Sequence, residues 1–283
     1  MNYRNLELMD ATTTERVADG IELILAVNKS ILSTTNIKSY IEKSTSKEPK
    51  DSFIADVFLE LNRRCKLYGE PKPFKIENGL ISSTINWEDR PEYVVCLIFS
   101  IFGNSNKTKE SKKDGTLFER LSKEVVKSYL NSEVITINYP HKTKIKEISE
   151  KIDEQFKKEL PSQRKDRGVD LIAWKSFGDK RPSQLIILFQ CSSGYDWRNK
   201  LFEININAWK KYINFGEYVT KGFCFPKIIS PNEEDYEEIT VDAGIIIDRI
   251  RIFRCTCNLN MDKTFKKELT KWCKNKLNYY NNL

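Results

Sequence analysis

Apolar positions in the first hundred residues recur every three or four positions, the spacing of helices that bury one face. The segment 51–69 is the clearest case, with a capping residue at Asp51 or Ser52, Gly69 at its end and an apolar stripe at Ile54, Val57, Phe58 and Leu61. A similar spacing covers 16–32, and 90–103 reads as a buried helix between Pro91 and Gly103. We therefore predict a mostly helical N-terminal region over residues 1–105.

The pattern changes after a polar, Lys-rich stretch at 104–115, which we interpret as a loop or domain boundary. The predicted order is then helix (115–130), strand (133–139), helix (145–160), two strands (169–177 and 184–192), helix (196–213), strands (218–229 and 244–253) and a basic helix (263–280). Because "GDKRPS" separates the two consecutive strands, they are predicted to form a hairpin. This alternation favours an α/β domain with a mixed sheet over residues 106–283.

Composition and charge limit the classes of partner and catalytic site that we expect for this protein. The 283 residues are 40% hydrophobic and carry a net charge of +7, which permits a nucleic-acid partner without requiring one. No apolar run has the ~20 residues of a membrane span, and no signal peptide is evident, so we expect a cytoplasmic protein without a membrane partner. Seven irregularly spaced cysteines indicate reduced, mostly buried thiols. With His141 as the sole histidine, Ser-His and Cys-His nucleophiles and His-rich zinc sites are disfavoured, and catalysis by carboxylates, lysine and a hard metal ion is favoured.

Two polar residues stand at the ends of the predicted hairpin. Asp170 begins the first strand and Gln190 ends the second. In an antiparallel pair these positions lie at the same sheet edge, where a carboxylate and an amide oxygen form half of a divalent-metal site. The carbonyl of Cys191 is a candidate third oxygen ligand.

The residues "GVDLIAWK…LIILFQCSSG" resemble the core of the PD-(D/E)XK nuclease superfamily, which has a restriction-endonuclease-like fold. The resemblance covers residues ~115–225 and implies one or two Mg²⁺ (or Mn²⁺) ions held by Asp170, Gln190 and Glu119, the last on the helix before the first strand. Ser192 stands where the superfamily has a lysine. The resemblance therefore implies a displaced lysine, with Lys200 as first candidate and Lys175 as second.

The resemblance further implies a metal-dependent DNA endonuclease of a prokaryotic restriction or antiphage defence system, acting as a homodimer or with a partner subunit. Basic residues near the site would contact the nucleic acid: Lys112, Lys113, Lys175 and Arg198. The missing lysine supports an alternative, a catalytically silent module that binds nucleic acid or assembles a complex. A third alternative is an unrelated enzyme or interaction protein that shares only the order of elements.

Each candidate residue also has a structural interpretation. Asp170 could be a turn residue and Gln190 an ordinary edge amide, while Lys200 could be a solvated helix lysine. Glu119 could complete a capping box with Thr116. The basic terminal helix could follow phosphates or form a solvated surface.

Overall fold

The structure, a computed structural model, describes residues 12–104, 108–137, 144–161, 167–229 and 233–281. The helices are α1 (Thr14–Asn28), α2 (Thr34–Thr45), α3 (Asp51–Tyr68), α4 (Pro91–Phe102), α5 (Lys109–Leu130), α6 (Ile145–Lys151), α7 (Ile206–Trp209), α8 (Glu233–Ala243), α9 (Arg249–Thr256) and α10 (Lys263–Asn281). The strands are β1 (Ile31–Leu32), β2 (Phe74–Glu77), β3 (Leu80–Ser83), β4 (Glu133–Thr136), β5 (Gln155–Phe156), β6 (Leu171–Lys175), β7 (Leu185–Cys191), β8 (Ile213–Asn214), β9 (Thr220–Cys224) and β10 (Ile245–Ile247). No helix in these described ranges is both long and apolar enough to cross a membrane.

The chain divides into two units. The helical unit comprises Met1–Gly103, Pro226–Pro231 and Arg249–Leu283, and the sheet unit comprises Asn104–Phe225 and Asn232–Asp248. The first boundary between the units, between Gly103 and Asn104, therefore lies close to the predicted domain boundary at residue 105. The predicted domain 106–283 differs from the structure, however, because its last segment, which carries α9 and α10, belongs to the helical unit.

The helical unit is built on apolar helix faces. The predicted helices at 51–69 and 90–103 are present as α3 and α4, and α4 packs against α1, α9 and α10. Pro91 occupies the first turn of α4, where its missing N–H has no helical partner to lose, and Gly103 ends the helix. A small antiparallel sheet in the order β1-β3-β2 was not predicted, so this unit is less purely helical than expected.

The sheet unit contains a five-stranded mixed sheet in the order β10-β9-β7-β6-β4. Strands β4, β6 and β7 pair antiparallel, whereas β7, β9 and β10 pair parallel. The predicted hairpin and the predicted mixed α/β character are therefore confirmed. Helix α5 contacts β4, β6 and β7. Apolar residues from β6 and β7 also join a buried cluster with residues of α6: Ile145, Ile148, Ile172, Trp174, Ile186 and Leu188.

Helix α5 begins earlier than predicted, which changes the interpretation of two sequence features. The stretch 104–115 was interpreted as a loop or domain boundary. A boundary between the two units does fall at its start, after Gly103. Most of the stretch is not a loop, however, because the helix starts at Lys109, where Thr108 caps it and forms a capping box with Ser111. Thr116 lies inside the helix, where its hydroxyl donates to the carbonyl of Lys112. The alternative that Glu119 pairs with Thr116 in a capping box is therefore wrong.

The predicted helix over 196–213 is wrong as a continuous element. One turn of 3₁₀ helix spans Trp197–Lys200, and the short α7 follows only after a break. Asn205 makes the break, because its side chain accepts a hydrogen bond from the Ala208 amide and so starts a new helix. The chain then enters β8 instead of continuing as a helix.

Two other predicted elements are shorter. The helix predicted over 145–160 ends at Lys151, since Asp153 adopts a left-handed conformation (φ +54°), and β5 follows. The strand predicted over 244–253 ends at Ile247 and gives way to α9, in which Ile250 and Phe253 are buried at helical spacing. The end of the strand predicted over 133–139 lies outside the described residues.

Candidate active site

Asp170 and Gln190 lie beside each other at one edge of the sheet unit, as predicted. Leu171 pairs with Phe189 in the antiparallel ladder, so the next positions along are Asp170 and Gln190. The Asp170 amide donates to the Phe189 carbonyl at 2.9 Å, and Asp170 Oδ2 accepts the amide of Cys191 at 2.7 Å. Asp170 is therefore fixed to the end of β7 from both its main chain and its side chain.

The Cys191 carbonyl, a predicted ligand, is oriented by the same bond. The Cys191 amide faces Asp170. In an extended strand the N–H and C=O of one residue point to the same side. The carbonyl of Cys191 is thus turned toward the edge where Asp170 lies, just beyond the start of β6.

The amide of Gln190 is held by a residue that the sequence analysis missed. Gln190 is 4% exposed, and its Nε2 donates to Glu203 Oε2 at 2.5 Å. Its Oε1 is buried and has no hydrogen-bond partner within the described part of the chain. A buried oxygen without a donor is costly. It is also an oxygen that a cation can use.

Gly168 lets the chain approach Glu203 at this edge. Its φ is +76°, and a Cβ placed on it would lie 2.6 Å from the Glu203 backbone carbon. Any larger residue would push the turn before Asp170 away from Glu203. Gly168 thus makes a close contact with Glu203, the residue that accepts the hydrogen bond of the Gln190 amide.

Glu119 reaches the same region from α5, which packs against β6 and β7. Burial raises the pKa of the Cys191 thiol, and Cys224 and the Asp170 and Glu119 carboxylates raise it further. The two carboxylates therefore both act on the end of β7. The raised pKa also keeps Cys191 protonated, which argues against a thiolate nucleophile.

The segment after β7 is tied to the start of the sheet unit. Ser192 is 1% exposed, its hydroxyl has no partner among the described residues, and its amide donates to Cys224 in β9. Asn104 Nδ2 donates to the Ser193 hydroxyl at 3.2 Å and to the Ser111 carbonyl at 2.8 Å. These bonds connect the first turn of α5 with the loop that leaves the site.

The two candidate lysines differ in their distance from Asp170: Lys200 lies in a turn near that edge of the sheet, whereas Lys175 lies at the far end of β6. Lys200 is half-buried at the end of the 3₁₀ turn, and its carbonyl accepts the Glu203 amide at 3.2 Å. It therefore belongs to the turn whose carboxylate contacts Gln190. Lys175 lies at the far end of β6, about 17 Å from Asp170 at ~3.3 Å per residue, and its ammonium donates to the Asn131 carbonyl. The structure thus removes Lys175 as a candidate for completing the site and as a contact near it.

The other predicted nucleic-acid contacts are exposed. Lys112 and Lys113 lie on the first turns of α5, upstream of Glu119. Arg198 lies in the same turn as Lys200, with its guanidinium carbon 4.7 Å from the centre of the Trp197 ring. His141 lies outside the described residues.

Exchanging the polar groups of Gln190 and Glu203 tests their hydrogen bond. We expect Gln190→Glu to destabilise the sheet unit by about 1–2 kcal/mol at neutral pH, because two carboxylates would face each other where a hydrogen bond stood. The double variant Gln190→Glu/Glu203→Gln should regain most of that loss, since a donor and an acceptor face each other again. Thermal unfolding of both variants and of Glu203→Gln measures this. Equal stability of the single and double variants would contradict the pairing.

The oxygens at this edge suit a hard cation, although the number of charged ligands is small. No group of three or more His, Cys, Asp or Glu side chains placed to hold a metal ion occurs in the described ranges. A metal would therefore depend on Asp170 together with neutral oxygens of Gln190 and Cys191, with Glu119 as the further carboxylate that acts on this end of β7. Comparisons with protein families, curated proteins and solved structures found no match for this chain.

Proposed function

We propose that this protein is a metal-dependent endonuclease that hydrolyses phosphodiester bonds in DNA, with a restriction-endonuclease-like core in its sheet unit. The observation that carries the proposal is the juxtaposition of Asp170, which immediately precedes β6, and Gln190 near the end of the neighbouring strand β7. The buried, unpartnered Gln190 Oε1 supports it, because a cation is the partner that would satisfy that oxygen. The order of elements around the two strands agrees with the resemblance.

The site residues have distinct roles in this proposal. Asp170 supplies the negative charge, and Gln190 Oε1 and the Cys191 carbonyl supply neutral oxygens. Glu203 positions the Gln190 amide so that its nitrogen is occupied and its oxygen is left for the ligand. The chemistry that Mg²⁺ or Mn²⁺ supplies when bound is neutralisation of the scissile phosphate and a lower pKa for the attacking water.

Lys200 completes the proposed constellation. Its turn contacts the site through Glu203, so its flexible side chain starts close to the sheet edge. An ammonium group there would neutralise negative charge that builds on the phosphate oxygens in the transition state. Arg198, Lys112 and Lys113 would bind flanking phosphates.

The cellular setting that we propose is inferred from the resemblance to the nuclease superfamily. We place the protein in the cytoplasm of a prokaryote, in a restriction or antiphage defence system, as a homodimer or with a partner subunit. Gln at position 190 removes one charge from the metal site compared with a carboxylate. This weaker site is consistent with an activity that depends on assembly or activation.

A second function is favoured by Ser192, which stands where the superfamily has its lysine. Its buried hydroxyl carries no charge, and the described residues include no group of three His, Cys, Asp or Glu side chains placed to hold a metal ion. A chain with these features could bind nucleic acid without cutting it. The second proposal is therefore a catalytically silent module that binds nucleic acid or assembles a complex.

Plasmid cleavage tests the first proposal. Wild type is incubated with supercoiled DNA and Mg²⁺ or Mn²⁺, with and without EDTA, beside Lys200→Ala and its control Lys175→Ala. We expect metal-dependent nicking that falls by about 10²–10³-fold in Lys200→Ala, the magnitude for losing one group that stabilises a developing anion, and stays unchanged in Lys175→Ala. Wild type that binds DNA but never cuts it would replace the endonuclease with the silent module.

A further inference from the structure

The helical unit carries an open groove along α10, with a volume of about 710 Å³. One wall is α10 and the other is the segment 86–89, which precedes α4. Five lysines of α10 line the groove: Lys263, Lys266, Lys267, Lys271 and Lys274. The groove lies wholly within one unit, so its shape is set by that unit alone.

The lysines form one stripe because each of them lies three or four residues from another lysine of the set. From Lys263 to Lys274 the stripe is about 16 Å long at 1.5 Å per residue. A separate face of α10 is buried at Phe265, Leu269, Cys273 and Leu277. Trp272 packs beside Phe99 of α4, with ring centres 5.0 Å apart. This packing fixes the rotation of α10 and keeps the lysine stripe on the groove side.

The groove is strongly positive. Its lining has two carboxylates, Glu88 and Asp89, against the five ammonium groups. Glu88 pairs with Lys274 at 2.8 Å, at one end of the stripe, and Asp89 accepts a hydrogen bond from Asn86 at 2.9 Å. The excess of positive charge is therefore concentrated between Lys263 and Lys271.

The chemistry of the lining identifies the class of ligand. A row of cations matches a row of anions, and Thr270, Asn275 and Asn278 add neutral hydrogen-bonding groups. Among the described residues of the lining there is no aromatic ring on which bases of a single strand could stack, and no aliphatic side chain that could enter a lipid surface. We infer that this groove binds the phosphate backbone of duplex DNA without reading its sequence.

This inference deepens the proposed function and rests on it for the choice of DNA. It adds a second DNA contact, in the helical unit, to the candidate site in the sheet unit. A backbone contact of this kind raises affinity for every sequence equally and contributes no discrimination between bases. Its loss should weaken binding while the residues that carry the chemistry stay intact.

The test is duplex binding by Lys267→Gln/Lys271→Gln in the full chain. Both lysines are exposed at the middle of the stripe, and glutamine keeps the helix propensity of lysine. Lys43→Gln/Lys47→Gln, also exposed and in the same unit, removes the same charge elsewhere and serves as the matched control. Fluorescence anisotropy with a labelled DNA duplex is measured in EDTA over a range of salt concentrations, so that cleavage does not interfere.

We expect the groove variant to bind roughly tenfold more weakly at low salt, with the slope of log K against log salt smaller by about two. Two duplexes of unrelated sequence should lose affinity equally, and the control should bind like wild type. Unchanged affinity and slope would overturn the inference, as would an equal loss in the control. Binding to phosphatidylserine vesicles in preference to the duplex would overturn it as well.

The design separates this inference from the nuclease proposal. Groove-dependent binding by a wild type that does not cut any DNA with Mg²⁺ or Mn²⁺ would support the groove and reject the endonuclease. Metal-dependent cutting by a wild type whose DNA affinity does not depend on the groove lysines would support the endonuclease and reject the groove. Both results come from the same protein preparations.

Discussion

We expect Arg249→Ala to lower the free energy of unfolding of the helical unit by about 3–5 kcal/mol, the cost of removing one partner from a buried ion pair. Arg249 is fully buried at the start of α9, and its Nη2 donates to Asp19 Oδ1 at 2.5 Å and to Glu22 Oε1 at 3.4 Å. Asp19 and Glu22 are themselves 7% and 1% exposed. Removing the arginine leaves two carboxylates out of contact with water and with one cation fewer.

The other contacts of this buried network connect several helices of the helical unit, so the loss of Arg249 is expected to affect the whole unit. Arg64 of α3 donates to Asp19 at 2.6 Å and to Glu22 at 2.8 Å. Tyr68 and Tyr93 donate their hydroxyls to Glu22 at 3.0 and 2.5 Å. The network therefore joins α1, α3, α4 and α9, and within it Arg249 is the α9 residue that contacts helices from the other end of the chain.

The pH dependence of the same variant gives an independent check. Burial alone would raise the pKa of Asp19, but Arg249 and Arg64 outweigh it and hold that pKa well below its usual range. Such a carboxyl stabilises the fold above its unfolded-state pKa of about 4, and the contribution is lost only as pH falls through the lower folded pKa. In Arg249→Ala the pKa of Asp19 should rise, so protonation relieves the penalty. The difference in stability from wild type should therefore shrink as pH falls through the raised pKa of Asp19 in the variant.

Hydrogen exchange of the α1 amides measures the loss of stability in the helical unit itself. Guanidinium unfolding of the whole chain is measured for comparison. Arg251→Ala, an exposed position on the same helix, is the control and should change stability by less than about 0.5 kcal/mol. A loss in Arg249→Ala that is no larger than in Arg251→Ala would show that the network contributes little to the fold.

The parts of the fold that the sequence predicted well are those set by local pattern. Two short apolar runs on either side of a polar turn predicted the β6–β7 hairpin, and the hairpin alone placed Asp170 beside Gln190. Helices α3 and α4 follow from an apolar stripe between a capping or proline start and a terminal glycine. These signals act over a few residues, so one sequence is enough to read them.

The parts that were missed depend on contacts between distant positions. Arg249 alternates with Ile250 in a way that suggests a strand, but its pairing with Asp19, 230 residues away, buries it at the start of a helix. The link between Gln190 and Glu203 has no local signature either, because it requires the break before α7. Asn205 was the available signal for that break, since asparagine is a strong N-cap residue.

The largest expected effect on activity is that of Asp170→Asn. We expect DNA cleavage to fall on the order of 10³-fold or more, because the substitution removes the carboxylate that supplies the negative charge to the proposed metal site, and several kcal/mol of stabilisation correspond to a factor of this size. The fold should be preserved. Asparagine retains an oxygen that can accept the Cys191 amide, which now donates to Asp170 Oδ2 at 2.7 Å.

Three measurements on Asp170→Asn separate chemistry from folding and binding. Its thermal midpoint and its affinity for duplex DNA in EDTA should match those of wild type, while its cleavage rate in Mn²⁺ collapses. Asp179→Asn removes the same charge from the turn of the same hairpin, where Asp179 pairs with the exposed Arg181, and should cut normally. Cleavage by Asp170→Asn at the wild-type rate would exclude this sheet edge as the place of reaction, and an equal loss in Asp179→Asn would attribute the effect to hairpin charge instead of a metal ligand.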